Sequence, residues 1–293
     1  MAVGVIDVGS NSVRVLVATL QGGTLVALCE ERVRLSLGDD VEQFGRISRE
    51  KLRKTARAAR RYARLARERG VERLDVFVTA PGRQSANVRE LVRELGFATA
   101  APVRVLSAEE EGRLAYEGAS AGLSEQPRTL AVCDVGGGST EAVVGVHDRG
   151  PVWARSFDVG AVRLTRRFFA DDPPGPAPMI EARTAVESAL AGAVPPLCER
   201  ALVTGGTPRA LRKIVGDTLA AAELDAALRT VSAAPARVVA ADFGIDRRRA
   251  RLLPAGILIL AAVQRRLVVP LDVSSAGLRE GAALGLLAEA AAA

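Results

Sequence analysis

The chain contains one short pattern twice: an acidic residue and a turn of small residues, set between two apolar runs. The first copy is Asp7-Val8-Gly9-Ser10-Asn11-Ser12-Val13, and the second is Asp134-Val135-Gly136-Gly137-Gly138-Ser139-Thr140. Apolar β-branched runs interrupted by Gly and Ser are typical of strand–turn–strand units. Backbone amides of such a turn can face a phosphate, because small side chains leave the approach open. The repetition predicts two related domains that face each other with a phosphoryl group between them.

The composition is that of a globular protein large enough for two domains with cores of their own. The chain has 293 residues, of which 48% are hydrophobic and 25% are charged. The N-terminus has no basic, then apolar, leader, and no apolar run reaches the roughly twenty residues of a membrane span. We therefore expect a cytoplasmic protein, in which the three widely spaced cysteines are reduced and buried.

The charge balance is basic, with a net charge of +6 that comes almost entirely from arginine. Arginine binds phosphate in a bidentate manner and stays charged, so the balance fits a polyanionic ligand. A genome of biased base composition would produce the same excess, and we weight the two explanations equally. The arginine-rich segment 49–69 is interpreted as a helix with a solvated face.

The pattern of apolar residues predicts an α/β chain in two halves. A β-meander covers residues 3–37, a polar loop covers 38–47, and Ser48 caps the helix 49–69. Gly, Ser and Pro cluster near residues 120–128, which places the domain boundary there. We predict a first domain at 1–122 and a second at 123–279, with a C-terminal helix 280–293 that packs back on the first.

Three carboxylates are candidates for metal ligands. Asp7 and Asp134 each end a strand beside a phosphate-type turn, where a carboxylate can hold a hard divalent cation. The alternative for each is an acidic turn residue that binds its own backbone, but the duplication favours the metal. Glu141 follows the second turn, and it faces either the phosphate or solvent.

Candidate phosphate ligands lie in three turns and at two arginines. The third turn, Thr204-Gly205-Gly206-Thr207, follows a strand and precedes a predicted helix, whose N-terminus is an anion site. Arg83 and Arg279 are embedded in Gly-containing segments, where phosphate-binding arginines tend to lie, although a surface ion pair is the alternative for each. The turn residues that we predict to bind phosphate are Gly9, Ser10, Asn11, Ser12, Gly136, Gly137, Gly138, Ser139, Gly205, Gly206 and Thr207.

The segment Ser107-Ala108-Glu109-Glu110-Glu111 opens a predicted helix. Ser107 and Glu110 fit a capping box, in which each side chain binds the other residue's backbone amide. The helix dipole also favours acidic residues at this end, so the segment has a complete structural explanation. Capping uses only Glu110, however, and Glu111 is left as a candidate general base for the activation of water.

Several of these segments, in the same order, resemble motifs of the exopolyphosphatase/guanosine pentaphosphate phosphohydrolase (Ppx/GppA) family. The segment from Val5 to Arg14 resembles the first family motif, and the segment from Asp134 to Glu141 resembles the second phosphate loop. The other matching segments are Leu106–Leu114, Val159–Leu164, Thr204–Thr207 and Leu278–Gly281. The resemblance covers essentially the whole chain and identifies it as a short, two-domain member.

The resemblance implies a fold of the acetate kinase/Hsp70/actin superfamily, with two ribonuclease-H-like α/β domains and the active site in the cleft between them. It assigns the catalytic glutamate to Glu111 and a phosphate-binding arginine to Arg83. It also brings Asp134, Glu141 and the second loop to the metal and the water. The implied cofactor is Mg²⁺, with Mn²⁺ as an alternative.

The implied reaction is hydrolysis of the terminal phosphate of inorganic polyphosphate. The alternatives are a guanosine pentaphosphate 5′-phosphohydrolase, a sugar kinase of the same superfamily, and a non-catalytic nucleotide-binding scaffold. Because this protein chain stops where longer members continue, we expect a preference for short polyphosphate. The arginine-rich helix 49–69 argues against this expectation, since it could bind a long polyphosphate chain. Guanosine penta- or tetraphosphate is a candidate ligand, and a homodimer is a candidate assembly. We expect no membrane partner and no specific nucleic-acid partner.

Overall fold

The computed structural model describes residues 1–292 of the chain. Ala293, the last residue of the predicted C-terminal helix, lies outside the described residues. The chain forms two compact units, of which the first comprises Met1–Gly118 and the segment that begins at Leu278, and the second comprises Ala119–Gly277.

The first unit contains a five-stranded sheet in the order β3-β2-β1-β4-β5. Strands β1, β2 and β3 form an antiparallel meander, whereas β4 and β5 extend the sheet in parallel with β1. The strands are β1 (Ala2–Val8), β2 (Ser12–Gln21), β3 (Thr24–Arg34), β4 (Val71–Val78) and β5 (Val103–Val105). The helices are α1 (Leu37–Phe44), α2 (Arg49–Glu68), α3 (Ala80–Gln84), α4 (Val88–Thr99) and α5 (Ala108–Ser120).

Helix α2 forms as the sequence predicts, with Ser48 as its N-cap. The Ser48 hydroxyl accepts a hydrogen bond from the Lys51 amide at 3.3 Å. The helix is followed by Gly70 in the left-handed region, at φ 71°, a conformation that favours glycine. Its apolar face, which includes Leu52 and Tyr62, is buried in the core of the unit.

The prediction of a loop at 38–47 is wrong, because residues 37–44 form the helix α1. Leu37 and Val41 lie one turn apart and are both buried, so this polar segment has an apolar stripe that the core can cover. Gly45 ends the helix at φ 65°, and its amide donates to the carbonyl of Val41 at 2.9 Å.

The second unit contains a six-stranded sheet in the order β10-β11-β9-β6-β7-β8. Read from β8, the order is again an antiparallel meander followed by parallel strands, as in the first unit, with β10 added antiparallel at the far edge. Both units thus have the ribonuclease-H-like strand order. The strands are β6 (Thr129–Val135), β7 (Thr140–Val146), β8 (Gly150–Phe157), β9 (Arg200–Gly205), β10 (Thr218–Leu219) and β11 (Leu271–Val273). The helices are α6 (Ala161–Phe168), α7 (Pro176–Ala189), α8 (Gly206–Val215), α9 (Ala221–Ser232), α10 (Ala236–Asp242) and α11 (Arg247–Leu267).

The last helix, α12 (Leu278–Ala291), returns to the first unit. It packs against β1 and β2, and its residues Ala282, Ala283 and Leu287 join a core cluster with Val3 and Val5 of β1. Ile6 and Val8 belong to a second cluster, which contains the buried face of α2. Since side chains alternate along a strand, the first sheet has a core on each face.

Two further expectations concern cysteines and membranes. All three cysteines are free thiols, and Cys133 and Cys198 are buried as expected, whereas Cys29 is only half-buried. Complete burial raises the pKa of Cys133 to about 12, so this thiol is unreactive near neutral pH. No described helix has both the length and the apolar character that crossing a bilayer requires.

Candidate active site

The first glycine turn, residues 9–12, is closed by a hydrogen bond within its own backbone and is held by hydrogen bonds from a later segment. The Gly9 amide donates to the Ser12 carbonyl at 3.0 Å. The Asn11 carbonyl accepts from the amides of Leu35 and Ser36 at 3.1 and 3.0 Å, and the Ser10 carbonyl accepts from Gly38 at 2.7 Å. The segment that leads into α1 therefore fixes the direction of this turn.

The second turn, residues 136–139, repeats this geometry. The Gly136 amide donates to the Ser139 carbonyl at 3.0 Å, the same closing bond as in the first turn. The carbonyls of Gly136 and Gly137 accept from the first amides of α6, those of Ala161 and Val162, at 3.0 and 2.9 Å. In both units, therefore, the turn carbonyls are bound by the segment that begins the next helix.

Two adjacent amides in each of these turns are left for an external acceptor. Within residues 1–292, the backbone amides of Ser10, Asn11, Gly137 and Gly138 donate to no backbone carbonyl. Because the carbonyls of Ser10, Asn11 and Gly137 are bound by the segments that begin α1 and α6, each turn can offer adjacent N–H groups to an anion, which is the arrangement of a phosphate-binding nest. The serines of these turns, Ser10, Ser12 and Ser139, are buried.

Gly160, at the start of α6, makes the close approach to the second turn possible. A Cβ atom at this position would lie 2.4 Å from both the carbonyl carbon and the oxygen of Gly137, and 2.6 Å from the Gly138 nitrogen. Those atoms are backbone and cannot rotate away. Gly160 is not among the site residues predicted from the sequence, because its role depends on a contact between segments that are distant in sequence.

We expect the Gly160→Ala substitution to displace the second turn. Overpacking of this kind costs about 1–3 kcal/mol of unfolding free energy, which chemical denaturation would measure. Gly192→Ala is not a suitable comparison, since its φ of 73° adds backbone strain. Gly285→Ala is the matched control, because a Cβ atom there meets nothing within 4 Å. Equal stability of the two variants would contradict the close contact at Gly160.

Two carboxylates lie side by side in the second unit. Asp134 on β6 and Glu141 on β7 are direct partners in the antiparallel ladder, so their side chains share one face of the sheet. Glu141 is 1% exposed. Like charges directly opposite each other destabilise a sheet unless something compensates them. A divalent cation would do so, and carboxylate oxygens are the ligands that Mg²⁺ and Mn²⁺ prefer.

A hydroxyl group on a neighbouring strand orients each of these carboxylates: one on β9 for Asp134 and one on β8 for Glu141. The Thr204 hydroxyl donates to Asp134 Oδ1 at 2.8 Å, and the Ser156 hydroxyl donates to Glu141 Oε1 at 2.9 Å. The four residues are consecutive ladder partners, so they form one row across β9, β6, β7 and β8. Outer hydroxyl groups of this kind fix the direction of metal ligands. Neither hydroxyl is among the site groups predicted from the sequence.

Asp7 occupies the position in the first unit that Asp134 occupies in the second, but its neighbour differs. Its ladder partner on β2 is Arg14, where the second unit has Glu141. Arg14 also donates from Nε to the Ser12 hydroxyl at 3.2 Å. The first turn is therefore flanked by a cation and the second by a second carboxylate, so metal binding by Asp7 stays a prediction.

Glu111 lies in the first turn of α5, and the predicted capping box sets the start of this helix. The Glu110 amide donates to the Ser107 hydroxyl at 3.0 Å, and the Ser107 amide donates to Glu110 Oε2 at 2.8 Å. The capping box is confirmed. Glu111, which is 6% exposed, accepts a hydrogen bond from Arg83 Nη1 at 2.7 Å. Arg83 also donates to the Leu106 carbonyl at 2.9 Å, so both side chains are held in place.

We expect the Glu110→Gln substitution to cost about 1 kcal/mol or less of unfolding free energy. The hydrogen bond from the Ser107 amide lowers the pKa of Glu110. A lowered pKa in the folded state stabilises the protein above the pKa of the unfolded state, about 4.3, and this contribution is lost as the pH falls through the folded-state value. Denaturation at pH 7 and pH 3 should therefore show a larger difference from wild type at pH 7 than at pH 3. Glu109→Gln is the control, and an equal loss there would contradict the capping role.

The segment Leu278–Gly281 has a structural role in the first unit. Arg279 is 5% exposed and its Nη1 lies 3.3 Å from a Glu30 carboxylate oxygen. A Cβ atom at Gly281 would lie 2.0 Å from the Leu114 carbonyl oxygen, so this glycine lets α12 touch α5, the helix of Glu111. The structure shows Arg279 in an ion pair with Glu30. Phosphate binding by Arg279 stays a prediction.

The third turn lies at the N-terminus of α8. Gly205 has φ 109°, and a Cβ atom there would lie 2.5 Å from the Val135 carbonyl oxygen. The side chain of Thr207 is fully buried and packs against Gly256 of α11. The Arg249 guanidinium lies against Gly206, where a Cβ atom would meet its carbon at 2.4 Å. Phosphate binding here stays a prediction that concerns the backbone amides, because the Thr207 side chain faces the core.

The sequence matches one family along nearly its whole length. Residues 16–290 match the model of the Ppx/GppA phosphatase family. Exopolyphosphatase 1 of Mycobacterium leprae (strain TN) is 30% identical over 299 aligned positions, which cover 96% of this chain and 88% of the relative. Exopolyphosphatase 2 of Mycobacterium tuberculosis is 34% identical over a shorter stretch, which covers 59% of this chain and 56% of the relative.

Solved structures agree with this match. The Ppx/GppA enzyme of Aquifex aeolicus superimposes with a TM-score of 0.82 at 29% identity, over 97% of this chain and 99% of the other. An exopolyphosphatase of Cytophaga hutchinsonii gives a TM-score of 0.88 at 20% identity, over 99% of this chain and 98% of the other, and supports the fold alone. The predicted α/β class, with ribonuclease-H-like domains of the actin-like superfamily, is confirmed. The chain belongs to the Ppx/GppA phosphatase family.

Proposed function

We propose that this protein is an exopolyphosphatase, which hydrolyses the terminal phosphate of inorganic polyphosphate. One observation carries the proposal: each unit presents a closed turn whose carbonyls are bound from behind and whose amides are left for an anion. A turn of this kind suits a phosphoryl group, because phosphate oxygens need several donors. Exopolyphosphatase relatives at about 30% identity support the choice of substrate.

The residues of the second unit fit a divalent cation. Asp134 and Glu141 would be its ligands, since they are adjacent carboxylates whose outer oxygens are oriented by Thr204 and Ser156. The predicted cation is Mg²⁺, with Mn²⁺ as the alternative, and Asp7 is a further predicted ligand. When bound, the cation would neutralise charge on phosphate oxygens and help to position the substrate.

Glu111 is proposed as the general base. A base must be held in one orientation, and the bond from Arg83 to Glu111 Oε2 provides this. The carboxylate would accept a proton from the attacking water, while the amides of the two turns stabilise the charge that develops on the transferred phosphoryl oxygens. Arg83, which donates to Glu111, is also proposed to contact phosphate.

We propose short chains as the preferred substrate of the reaction site. Arg83 and Arg279 were the predicted arginine contacts to phosphate, and both are near carboxylates of their own unit. Part of their charge is therefore compensated, and the turn amides remain as the principal donors. Amide donors of this kind bind the end of a chain more readily than a long stretch of it.

The cytoplasm is the proposed location, which the three free cysteines support, since disulfides are rare in reducing compartments. A homodimer and the binding of guanosine tetraphosphate stay predictions.

The experiment that tests the proposed function is phosphate release from polyphosphate, guanosine pentaphosphate and ATP, measured side by side with Mg²⁺. We expect polyphosphate to give the highest kcat/KM. A higher value for guanosine pentaphosphate would show the alternative hydrolase, and release from none would favour the non-catalytic scaffold. Gel analysis of a long-chain digest tests chain length, where intermediates of steadily decreasing length are expected. Full-length substrate beside terminal products alone would contradict release between cleavages.

A further inference from the structure

The net positive charge of the protein is concentrated in one helix. Helix α2 carries nine cationic and two acidic side chains, a net charge of +7. The whole chain has a net charge of +6, so the remainder of the molecule is slightly acidic at −1. Most arginines of the chain lie outside α2, where acidic residues balance them. Base composition explains the general use of arginine, but it does not explain a net positive charge that is confined to one element.

The arginines of α2 also lie in one line. At about 100° per residue, positions 49, 53, 57, 60, 64 and 67 fall within about 80° of arc and extend over roughly 27 Å of helix. All six are exposed. We call them the arginine stripe, which consists of Arg49, Arg53, Arg57, Arg60, Arg64 and Arg67.

The middle of the stripe lacks the acidic partners that the helix has elsewhere. Lys54 pairs with Glu50, Arg61 with Glu31, and Arg64 with Glu68. By contrast, Arg53, Arg57 and Arg60 form no ion pair within residues 1–292. Like charges spaced three and four residues apart destabilise a helix. A helix face that only contacts solvent would be more stable with alternating positive and negative charges. The stripe therefore lowers the stability of the helix, and a bound polyanion would offset this loss.

We propose that the arginine stripe is a second polyphosphate-binding surface, separate from the turns that hold the reacting phosphate. Its ligand would be a linear polyanion long enough to lie along several turns of the helix, bound through exposed guanidinium groups. The choice of inorganic polyphosphate rests on the proposed function. The stripe adds affinity for long chains and takes no part in the cleavage of a short one.

The stripe suits inorganic polyphosphate better than single-stranded RNA. Surfaces that bind single strands combine cations with aromatic side chains on which bases stack. The aromatic residue of α2, Tyr62, is 1% exposed and faces the core. A row of guanidinium groups without a stacking platform recognises the phosphates alone, and polyphosphate has the higher density of them.

Binding without turnover tests the proposal. The test variant is Arg53→Gln/Arg57→Gln/Arg60→Gln, because glutamine keeps helix propensity and removes only the charge. The matched control is Arg183→Gln/Arg229→Gln/Arg237→Gln, which removes three exposed arginines from other helices. Fluorescence anisotropy with end-labelled long-chain polyphosphate, in EDTA to prevent metal-dependent hydrolysis, gives Kd at several salt concentrations.

We expect the stripe variant to bind long-chain polyphosphate at least about tenfold more weakly at low salt. Its plot of log Kd against log salt should be shallower by about 2, at roughly 0.7 per lost phosphate contact. The control variant should keep the wild-type affinity and slope. The kcat for tripolyphosphate with Mg²⁺ should be unchanged in both variants, and circular dichroism should show the wild-type fold. The Arg→Lys triple variant should recover most of the binding, since it restores the charge.

Three outcomes would overturn the proposal. Equal losses in the stripe variant and the control would mean that binding follows net charge and not the stripe. An unchanged Kd in the stripe variant would place polyphosphate binding elsewhere. A loss of affinity for labelled single-stranded RNA, without a loss for polyphosphate, would make the stripe a nucleic-acid surface. Because Kd is measured without hydrolysis, failure of the proposed reaction would be seen separately, as lack of phosphate release by the wild type.

Discussion

The Glu111→Gln variant should hydrolyse polyphosphate about 10²–10⁴-fold more slowly than the wild type, which is the usual cost of losing a general base. Glutamine has the size and shape of glutamate, and its amide oxygen can still accept the bond from Arg83. Arg83 also keeps its bond to the Leu106 carbonyl, at 2.9 Å. The local structure should therefore persist while the proton acceptor is lost.

The readouts for this variant are kcat with polyphosphate and the affinity for the same substrate. We expect a large fall in kcat and a small change in affinity, because the turn amides are untouched. Glu109→Gln is the matched control, since Glu109 is exposed in the same helical turn. A Glu111→Gln variant that kept more than half of the wild-type kcat would exclude Glu111 as the base.

The Asp134→Ala variant should need at least about tenfold more Mg²⁺ for half-maximal activity, since even residues that only orient a metal ligand contribute about 10–100-fold to metal affinity. The substitution removes a carboxylate and leaves the Thr204 hydroxyl without its acceptor. Polyphosphate affinity in EDTA should fall much less, because the amides of residues 136–139 remain.

Calorimetric titration with Mg²⁺ or Mn²⁺ alone would measure the same loss without activity. Thr204→Val should weaken metal binding less than Asp134→Ala, because it removes only the orienting hydroxyl. Asp225→Ala, an exposed carboxylate on α9, should have no effect. A metal titration curve of Asp134→Ala that superimposes on that of the wild type would refute metal ligation by Asp134.

The fold could be predicted where local signals were strong. The apolar runs around both glycine turns became β1, β2, β6 and β7, and Ser48 capped α2, because strand alternation and capping act within a few residues. Residues 84–95 have the apolar periodicity of one helix, but residues 85–87 separate α3 from α4. That break depends on a distant segment, since the Asn87 side chain bonds both the amide and the carbonyl of Ile47 at 2.9 Å. Periodicity contains no information about such a bond.

The supporting residues of the candidate site could not be predicted, for a similar reason. Ser156 faces Glu141 only because the β7–β8 ladder has an irregularity between Val144 and Gly145. Counting back from the hairpin without that irregularity would place Arg155 opposite Glu141. A single extra residue in a strand reverses which side chains share a face. The register that places the Ser156 hydroxyl, and not the Arg155 guanidinium, opposite Glu141 is therefore a property of the folded sheet.

The return of α12 to the first unit has a consequence for the order of folding. Its side chains complete a core with Val3 and Val5, and Gly281 seats it against the helix of Glu111. The second unit is continuous from Ala119 to Gly277, so it can fold while the ribosome still holds the last helix. The unit that begins first is thus finished last, in contrast to the usual N-terminal-first order of synthesis. Until α12 emerges, the first unit of the nascent chain lacks the three side chains, Ala282, Ala283 and Leu287, that complete the core around Val3 and Val5.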